Sequence, residues 1–344
     1  MDSAAHGKPS QLVIMSWGGG WGRALHEAVC LPFHAETGIE VRQVFHVGLE
    51  LPEAFIAAQQ AGDRAPFDVV WCNAVAALRA RAAGYCEPLT DLTHLERLAL
   101  RARPIDTPWT SCVDVVFPYV VYYVLVYARA RYSRPPRSWS ALCDERHRGR
   151  VTLYPGGNGL FPIAQVMGGG CVSDIPDAME PCWRFVRRLG AQVGELEYSI
   201  GMERAWSEGR LDLCMRALTN ALAFQAAGLD VDFAVPEEGT SDTLDALWVP
   251  RGLPAARSFW ARRLVEFCLR ADVQERWCER LGCMPVHRGA RPPALLVNHP
   301  QLPNDADDLR PLLHIPDSLK LQHSQPWAQR FASELAAGRE CSGQ

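Results

Sequence analysis

The chain has 344 residues, 48% of them hydrophobic and 22% charged, with a formal net charge of -4. That length exceeds one ordinary hydrophobic core and suits two units, and the mixed composition excludes global disorder. With an acidic balance and no densely basic stretch read from the sequence, nucleic-acid binding has no electrostatic footprint, and no nucleic-acid partner is expected.

Lys8 and Lys320 are the only lysines, so nearly all positive charge is arginine, a compositional bias that asks for no functional explanation. The twelve cysteines are scattered without paired short spacings. Cys30, Cys72, Cys214 and Cys268 sit in apolar contexts, the pattern of small buried hydrophobes, while one or two disulfides stay open for an exported chain. Residues 1–11 carry neither an apolar core nor a cationic leader, so no signal peptide is expected as written. The longest apolar run, Val115 to Tyr127, is 13 residues with Pro118 inside it, short of the roughly 20 that a helical membrane span needs. The expectation is a soluble chain: a mature exported form, a mis-started reading frame, or a cytoplasmic protein.

Leu12 to Met15 reads as a strand ending at Ser16-Trp17-Gly18-Gly19-Gly20. Ala24, Leu25, Ala28, Val29 and Phe33 then recur at helical spacing, and Gly38 offers a left-handed cap. Ile39 to Val44 alternates like a strand, which completes a β-α-β opening. Pro52 to Ala61 reads as a helix, Phe67 to Trp71 as a buried strand, Cys72-Asn73-Ala74 as the loop after it, and Val75 to Ala83 as a helix. Val113 to Val126 reads as extended chain, rich in valine and tyrosine. Pro118 is excluded from a central ladder position, so this stretch is read as the chain passing from one lobe to the other. Ser138 to Leu142 looks like a helix start with Ser138 as its cap, Gly149 to Leu153 like a strand, and Gly159 to Met167 like a helix after a glycine-rich turn. Helices at Trp183–Leu189, Gly201–Glu208 and Thr219–Ala227 are interleaved with strands at Leu211–Met215 and Val231–Val235. Leu244 to Val249 is the expected return strand. Helices at Ala255–Cys268, Val273–Leu281 and Gln325–Ala337 close the chain, and no internal repeat is visible.

These segments carry a resemblance. Ser16-Trp17-Gly18-Gly19, Pro32-Phe33 and Glu36-Thr37-Gly38-Ile39-Glu40-Val41 are followed by Phe67-Asp68-Val69-Val70-Trp71, Gly84 and Glu87-Pro88-Leu89. Pro118-Tyr119 with Tyr127, Arg137-Ser138-Trp139, Gly149-Arg150-Val151, Pro236-Glu237-Glu238-Gly239 with Asp245, and Met284-Pro285-Val286 complete the series. Together, over residues 10–335, they resemble the bacterial extracellular solute-binding proteins of ABC transporters related to the spermidine/putrescine-binding proteins. The resemblance implies an α/β, two-lobed periplasmic-binding-protein-like fold of type II with two crossing strands. It divides the chain into lobe 1 at 10–117 plus 246–344 and lobe 2 at 118–245. It also implies a periplasmic monomer, without cofactor, that takes a small-molecule ligand between its lobes and delivers it to an ABC permease in the membrane.

The candidate ligand contacts follow strand ends and crossings, where open α/β sheets bind ligands. Trp17 and Gly18 lie in the first glycine-rich turn, where the backbone and a ligand can approach closely. Asn73 can bond a ligand or cap the helix at Val75. Alternation sends Tyr119 and Tyr123 to one face and Tyr122 to the other, and Tyr119 and Tyr122 are the favoured contacts. Asn158 opens a helix whose amides could hold an anion, against the reading of an ordinary turn. Arg216, with Thr219 and Asn220 after it, could clamp a carboxylate or phosphate, or serve in a salt bridge. Glu238, Asp242 and Asp245 suit a cationic ligand. In polyamine-binding relatives an aromatic and an acid occur close together in this last segment; Asp245 matches the acid, and Thr243 stands where the aromatic is expected. The expected ligand is polyamine-like. The alternatives are an anionic or amino-acid-like ligand, a thiaminase-like enzyme on the same fold, and a cytoplasmic sensor. An enzyme is disfavoured because Tyr122 occupies the place of a thiaminase nucleophile and no Cys/His or Ser/His/Asp arrangement is visible. Cys278, Cys283 and His287 are spaced poorly for a structural zinc, so no metal is expected.

Overall fold

The computed structural model describes residues 7–46, 66–89, 114–197, 201–297, 299–304 and 312–341. In chain order the strands are β1 (Gln11–Trp17), β2 (Glu40–His46), β3 (Val69–Asn73), β4 (Tyr119–Ala128), β5 (Val151–Thr152), β6 (Leu213–Ala217), β7 (Val231–Ala234), β8 (Asp242–Trp248) and β9 (Met284–Pro285). The α-helices are α1 (Gly19–Leu25), α2 (Leu31–Thr37), α3 (Ala74–Ala82), α4 (Phe161–Met167), α5 (Glu180–Leu189), α6 (Met202–Ser207), α7 (Leu218–Ala226), α8 (Ala255–Cys268), α9 (Ala271–Leu281) and α10 (Asp317–Cys341). The helix expected at Pro52 to Ala61 lies outside the described residues.

The chain forms two compact units: residues 1–120, 244–294 and 305–307 in the first, and residues 121–243, 295–304 and 308–344 in the second. The first two changes of unit fall inside strands, in β4 after Val120 and in β8 after Thr243.

In the first unit the strand order is β2-β1-β3-β8. β1 and β2 run parallel in register from Gln11↔Glu40 to Trp17↔His46. The amphipathic stretch between them is α1, one π turn at His26–Cys30, and α2, with the expected face of Ala24, Leu25, Ala28, Val29 and Phe33 buried. Gly38 ends it at a φ of 68°, its N–H bonding to the His34 carbonyl, the left-handed stop that glycine takes without a Cβ penalty. β3 pairs parallel with β1 and antiparallel with β8. It extends through Cys72 and Asn73, which the sequence assigned to a loop; antiparallel pairing with Ala246 and Asp245 keeps these two residues in the ladder.

Asp68, just before β3, ties sequence-distant parts of this unit together. It is 1% exposed and accepts from the Val13 N–H at 2.7 Å and from Arg257 Nε on α8 at 2.6 Å. Asp68→Ala would leave a partly buried guanidinium without this partner and a strand amide without its acceptor. The expected cost is about 3–5 kcal/mol, to be read from urea unfolding at pH 7.

In the second unit the order is β7-β4-β6-β5, with β6 and β7 both antiparallel to β4 and β5 parallel to β6. Tyr123, Leu125, Trp139, Phe161, Trp183, Phe185 and Met215 belong to its buried core. Gly159, at a φ of 76°, passes so close to Tyr123 that a Cβ there would lie 2.4 Å from the ring. Ser138 does act as a cap, accepting from the Ser140 N–H, but of a 3-10 helix at Trp139–Cys143 that stops where Asp144 turns extended.

The C-terminal helix departs from the expected division. Residues 308–344 group with the second unit, not the first. The Trp327 ring packs 5.3 Å from Phe161, Phe331 and Leu335 enter the same core, and Arg187 Nε on α5 donates to Glu334 at 2.9 Å. At Gly338 a Cβ would lie 1.9 Å from the Arg187 carbonyl oxygen, so α10 and α5 cross at a distance only glycine permits.

Candidate ligand-binding sites

In the first unit, three residues far apart in sequence meet at one carboxylate. Asp245 on β8 sits opposite Asn73 in the β3–β8 register and is 4% exposed. Its Oδ2 accepts from Trp17 Nε1 at 3.2 Å and from the Tyr119 hydroxyl at 3.0 Å. Around Tyr119 stand the rings of Trp277 at 5.1 Å, Trp71 at 6.4 Å and Trp21 at 6.5 Å between centroids. Trp17 lies 4.2 Å from the ring of His46, whose pKa is lowered by burial. Trp71, Trp277 and Tyr119 are buried, whereas Trp17 and Trp21 are partly exposed, so the two partly exposed indoles form the accessible edge of the cluster.

The electrostatics follow from this packing. Burial raises the Asp245 pKa to about 7, against the opposing pull of the Tyr119 and Trp17 hydrogen bonds. The Tyr119 phenol is held well above its ordinary value, first by burial and then by the Asp245 charge. Among the described residues no cation pairs with Asp245, and both bonds to it come from neutral donors. A carboxylate with spare acceptor capacity among aromatic faces has the chemistry of an ammonium site.

The glycine turn serves this cluster differently from the sequence expectation. A Cβ at Gly18 would make only ordinary contact, 3.7 Å from Phe45. The sterically demanding position is Gly22, where a Cβ would lie 2.7 Å from the Trp17 carbonyl oxygen. Asn73 caps α3, its Oδ1 accepting from the Val75 N–H at 2.9 Å.

The second unit holds the other candidates in separate groups. Tyr123, not Tyr122, receives the Asn158 amide, at 2.8 Å; Tyr122 is fully buried. The helix after Asn158 begins only at Phe161, so Asn158 belongs to a turn. Arg216 is 0% exposed. Its guanidinium donates to the carbonyls of Met215 at 2.8 Å, Leu153 at 3.3 Å and Glu197 at 2.7 Å, and lies 4.3 Å from the centre of the Tyr154 ring. It is not a surface group and has no salt-bridge partner among the described residues; it ties β6 to the chain after β5. Asn220 accepts from the Tyr154 hydroxyl at 2.8 Å.

Two acidic candidates are engaged elsewhere in this unit. Glu238 accepts from the Ser138 hydroxyl and from the Trp139 N–H at 3.4 Å, which fixes the start of a 3-10 helix rather than a ligand cation. Asp242 bonds His314 Nδ1 at 2.9 Å, and its carbonyl accepts from Lys320 at 3.3 Å, which anchors the approach to α10. The sequence reading missed Trp21, Trp71 and Trp277. Trp21, four residues after Trp17, and Trp71, two before Asn73, carried a positional signal; Trp277 reads only as the buried face of an amphipathic helix. Cys278 and Cys283 are buried, and burial pushes the Cys278 pKa well up.

A sequence profile described as bacterial extracellular solute-binding protein matches residues 28–304. The chain belongs to this family. Among solved structures, the solute-binding chain is similar to the PBP AgtB of A. tumefaciens R10 in complex with agropinic acid, with a TM-score of 0.75 and 16% identity over 96% of this chain and 100% of that one. It is similar to the PBP MotA of A. tumefaciens B6 in complex with glucopine, with a TM-score of 0.74 and 16% identity over 94% and 99%. It is also similar to a GABA receptor, with a TM-score of 0.72 and 19% identity over 94% and 97%. No curated protein matches the chain by sequence. The structural likenesses establish the two-lobed α/β fold of periplasmic binding proteins, as the resemblance implied, and none singles out the spermidine/putrescine-binding branch.

Proposed function

We propose that this solute-binding protein is the receptor of an ABC importer and that its solute carries a protonated amine seated against Asp245. The observation that carries the reading is a buried carboxylate that has two neutral donors, no basic partner among the described residues, and aromatic rings around it. An ammonium supplies the missing charge, and the indole faces favour it further. Trp17 and Tyr119 are the contacts beside Asp245, with Trp21 at the rim. In this reading the protein acts in the periplasm as a monomer, without cofactor or catalysis; Tyr122, where a thiaminase-type nucleophile would stand, is a buried phenol.

A zwitterionic solute is the second reading. Arg216 is a buried cation with no carboxylate partner among the described residues, and one structural neighbour is a GABA receptor. Titration calorimetry separates the readings with putrescine, spermidine, GABA and amine-free carboxylates as solutes, each at pH 6 and pH 8.5 in buffers of different ionisation heat. An amine solute should expel about one proton at pH 6, where Asp245 is largely protonated, and none at pH 8.5. Tight binding of an amine-free carboxylate, or binding without proton release at pH 6, would remove Asp245 from the site.

A further inference from the structure

Residues 129–150 contain seven arginines against Asp144 and Glu145, in a chain whose net charge is -4. The sequence reading recorded no densely basic stretch, because these arginines come in two groups with eight uncharged or acidic residues between them; the fold brings the groups together. Arg131, Arg134, Arg137 and Arg146 line one pocket of about 470 Å³, with Asp144 as its one acidic lining residue. All of these residues belong to the second unit, and none takes part in the Asp245 cluster.

The pocket is backed by a polar chain that ends on two buried residues, His147 and Asp212. Tyr132, in its wall, shares a 2.8 Å hydrogen bond with His147 Nε2, and Arg146 Nε donates to the same nitrogen at 3.0 Å. Because a guanidinium only donates, Nε2 is the acceptor and Nδ1 carries the proton. Nδ1 then donates to Asp212, 2% exposed, at 3.0 Å. Asp212 also takes Arg131 Nε at 3.1 Å, and the Arg146 guanidinium lies 4.9 Å from the centre of the Tyr132 ring. Two of the four guanidiniums are therefore held in place before any ligand arrives. Arg134 has no ionic partner among the described residues. The Arg137–Glu237 and Arg146–Asp144 pairs join exposed side chains, and such pairs are weak and yield to a stronger anion.

We propose that this pocket is a second binding site, for a small ligand presenting a phosphate or similarly multicharged oxyanion. Several guanidiniums converging on one volume match the forked, charge-assisted geometry by which arginine holds phosphate oxygens, and the volume is that of small-ligand sites. The test is calorimetric titration of the intact protein with inorganic pyrophosphate at low salt. The comparison is an Arg134→Gln, Arg137→Gln double variant, in which only one exposed ion pair is lost, and an Asp245→Asn variant. The expected result is one site in the wild type, weakened at least about tenfold in the double variant and unchanged by Asp245→Asn. Absence of binding up to about 5 mM, or equal affinity in the double variant, would overturn the proposal. So would a glutamate-rich peptide that binds more tightly than pyrophosphate and is lost in the same double variant, since the pocket would then serve an acidic protein partner.

Discussion

Asp245→Asn is expected to lower affinity for a cationic solute while raising the stability of the solute-free protein at alkaline pH. The amide oxygen can still accept from Trp17 and Tyr119, so the local geometry is kept and only the charge is removed. Taking one partner from a buried charged pair costs about 2–5 kcal/mol, a loss of roughly thirtyfold to several thousandfold in affinity. Stability should move the other way. Below about pH 4 the carboxyl is protonated in both the folded and the unfolded chain. Between there and about pH 7 the unfolded chain has released the proton that the folded protein still holds, so stability falls as pH rises through this window and stays low above it. The full span corresponds to at most about 4 kcal/mol. Thermal melts of the solute-free protein from pH 4.5 to 8.5 should show this decline in the wild type and its loss in the variant. A variant that melts below the wild type at pH 8, or keeps its affinity for the amine, would leave Asp245 with a purely structural role.

Phe331→Ala should cost about 3–5 kcal/mol, the range for emptying a fully buried phenylalanine site. Phe331 on α10 is 0% exposed and its ring packs 6.3 Å from Phe161. Close approach by Gly157, where a Cβ would stand 3.0 Å from Phe331, leaves little room for a larger side chain to fill the gap. A two-unit chain does not promise a single unfolding transition, so hydrogen exchange is the better measurement. Protection should fall through β4, β6 and α5 and stay unchanged in β1, α2 and α8. The reverse pattern would return the C-terminal helix to the first unit.

The local grammar of the fold was readable because it depends on near neighbours. The five-residue apolar face from Ala24 to Phe33 and the glycine stop at Gly38 each need only a few adjacent residues, and each stands as read; at Asn73 the sequence left a ligand contact and a helix cap open, and the side chain caps α3. Acidic side chains were legible only as types. Glu238, Asp242 and Asp245 lie within eight residues, yet one fixes a 3-10 helix, one anchors His314, and one meets Trp17 and Tyr119. Thr243 stands where an aromatic was expected, and the aromatics come from β1, β4 and α9 instead.

The sequence by itself determined the alternating α and β elements, because periodicity, caps and turn residues act over a few positions; the crossing strands came from the family resemblance. Only the tertiary structure decided which side chains meet. Trp17 and Asp245 are 228 residues apart, and no local rule connects them. It also decided where α10 belongs. An amphipathic helix can bury its apolar face on any matching surface, and the choice came from close approach of Gly338 to α5 and from the aromatic packing of Trp327 and Phe331.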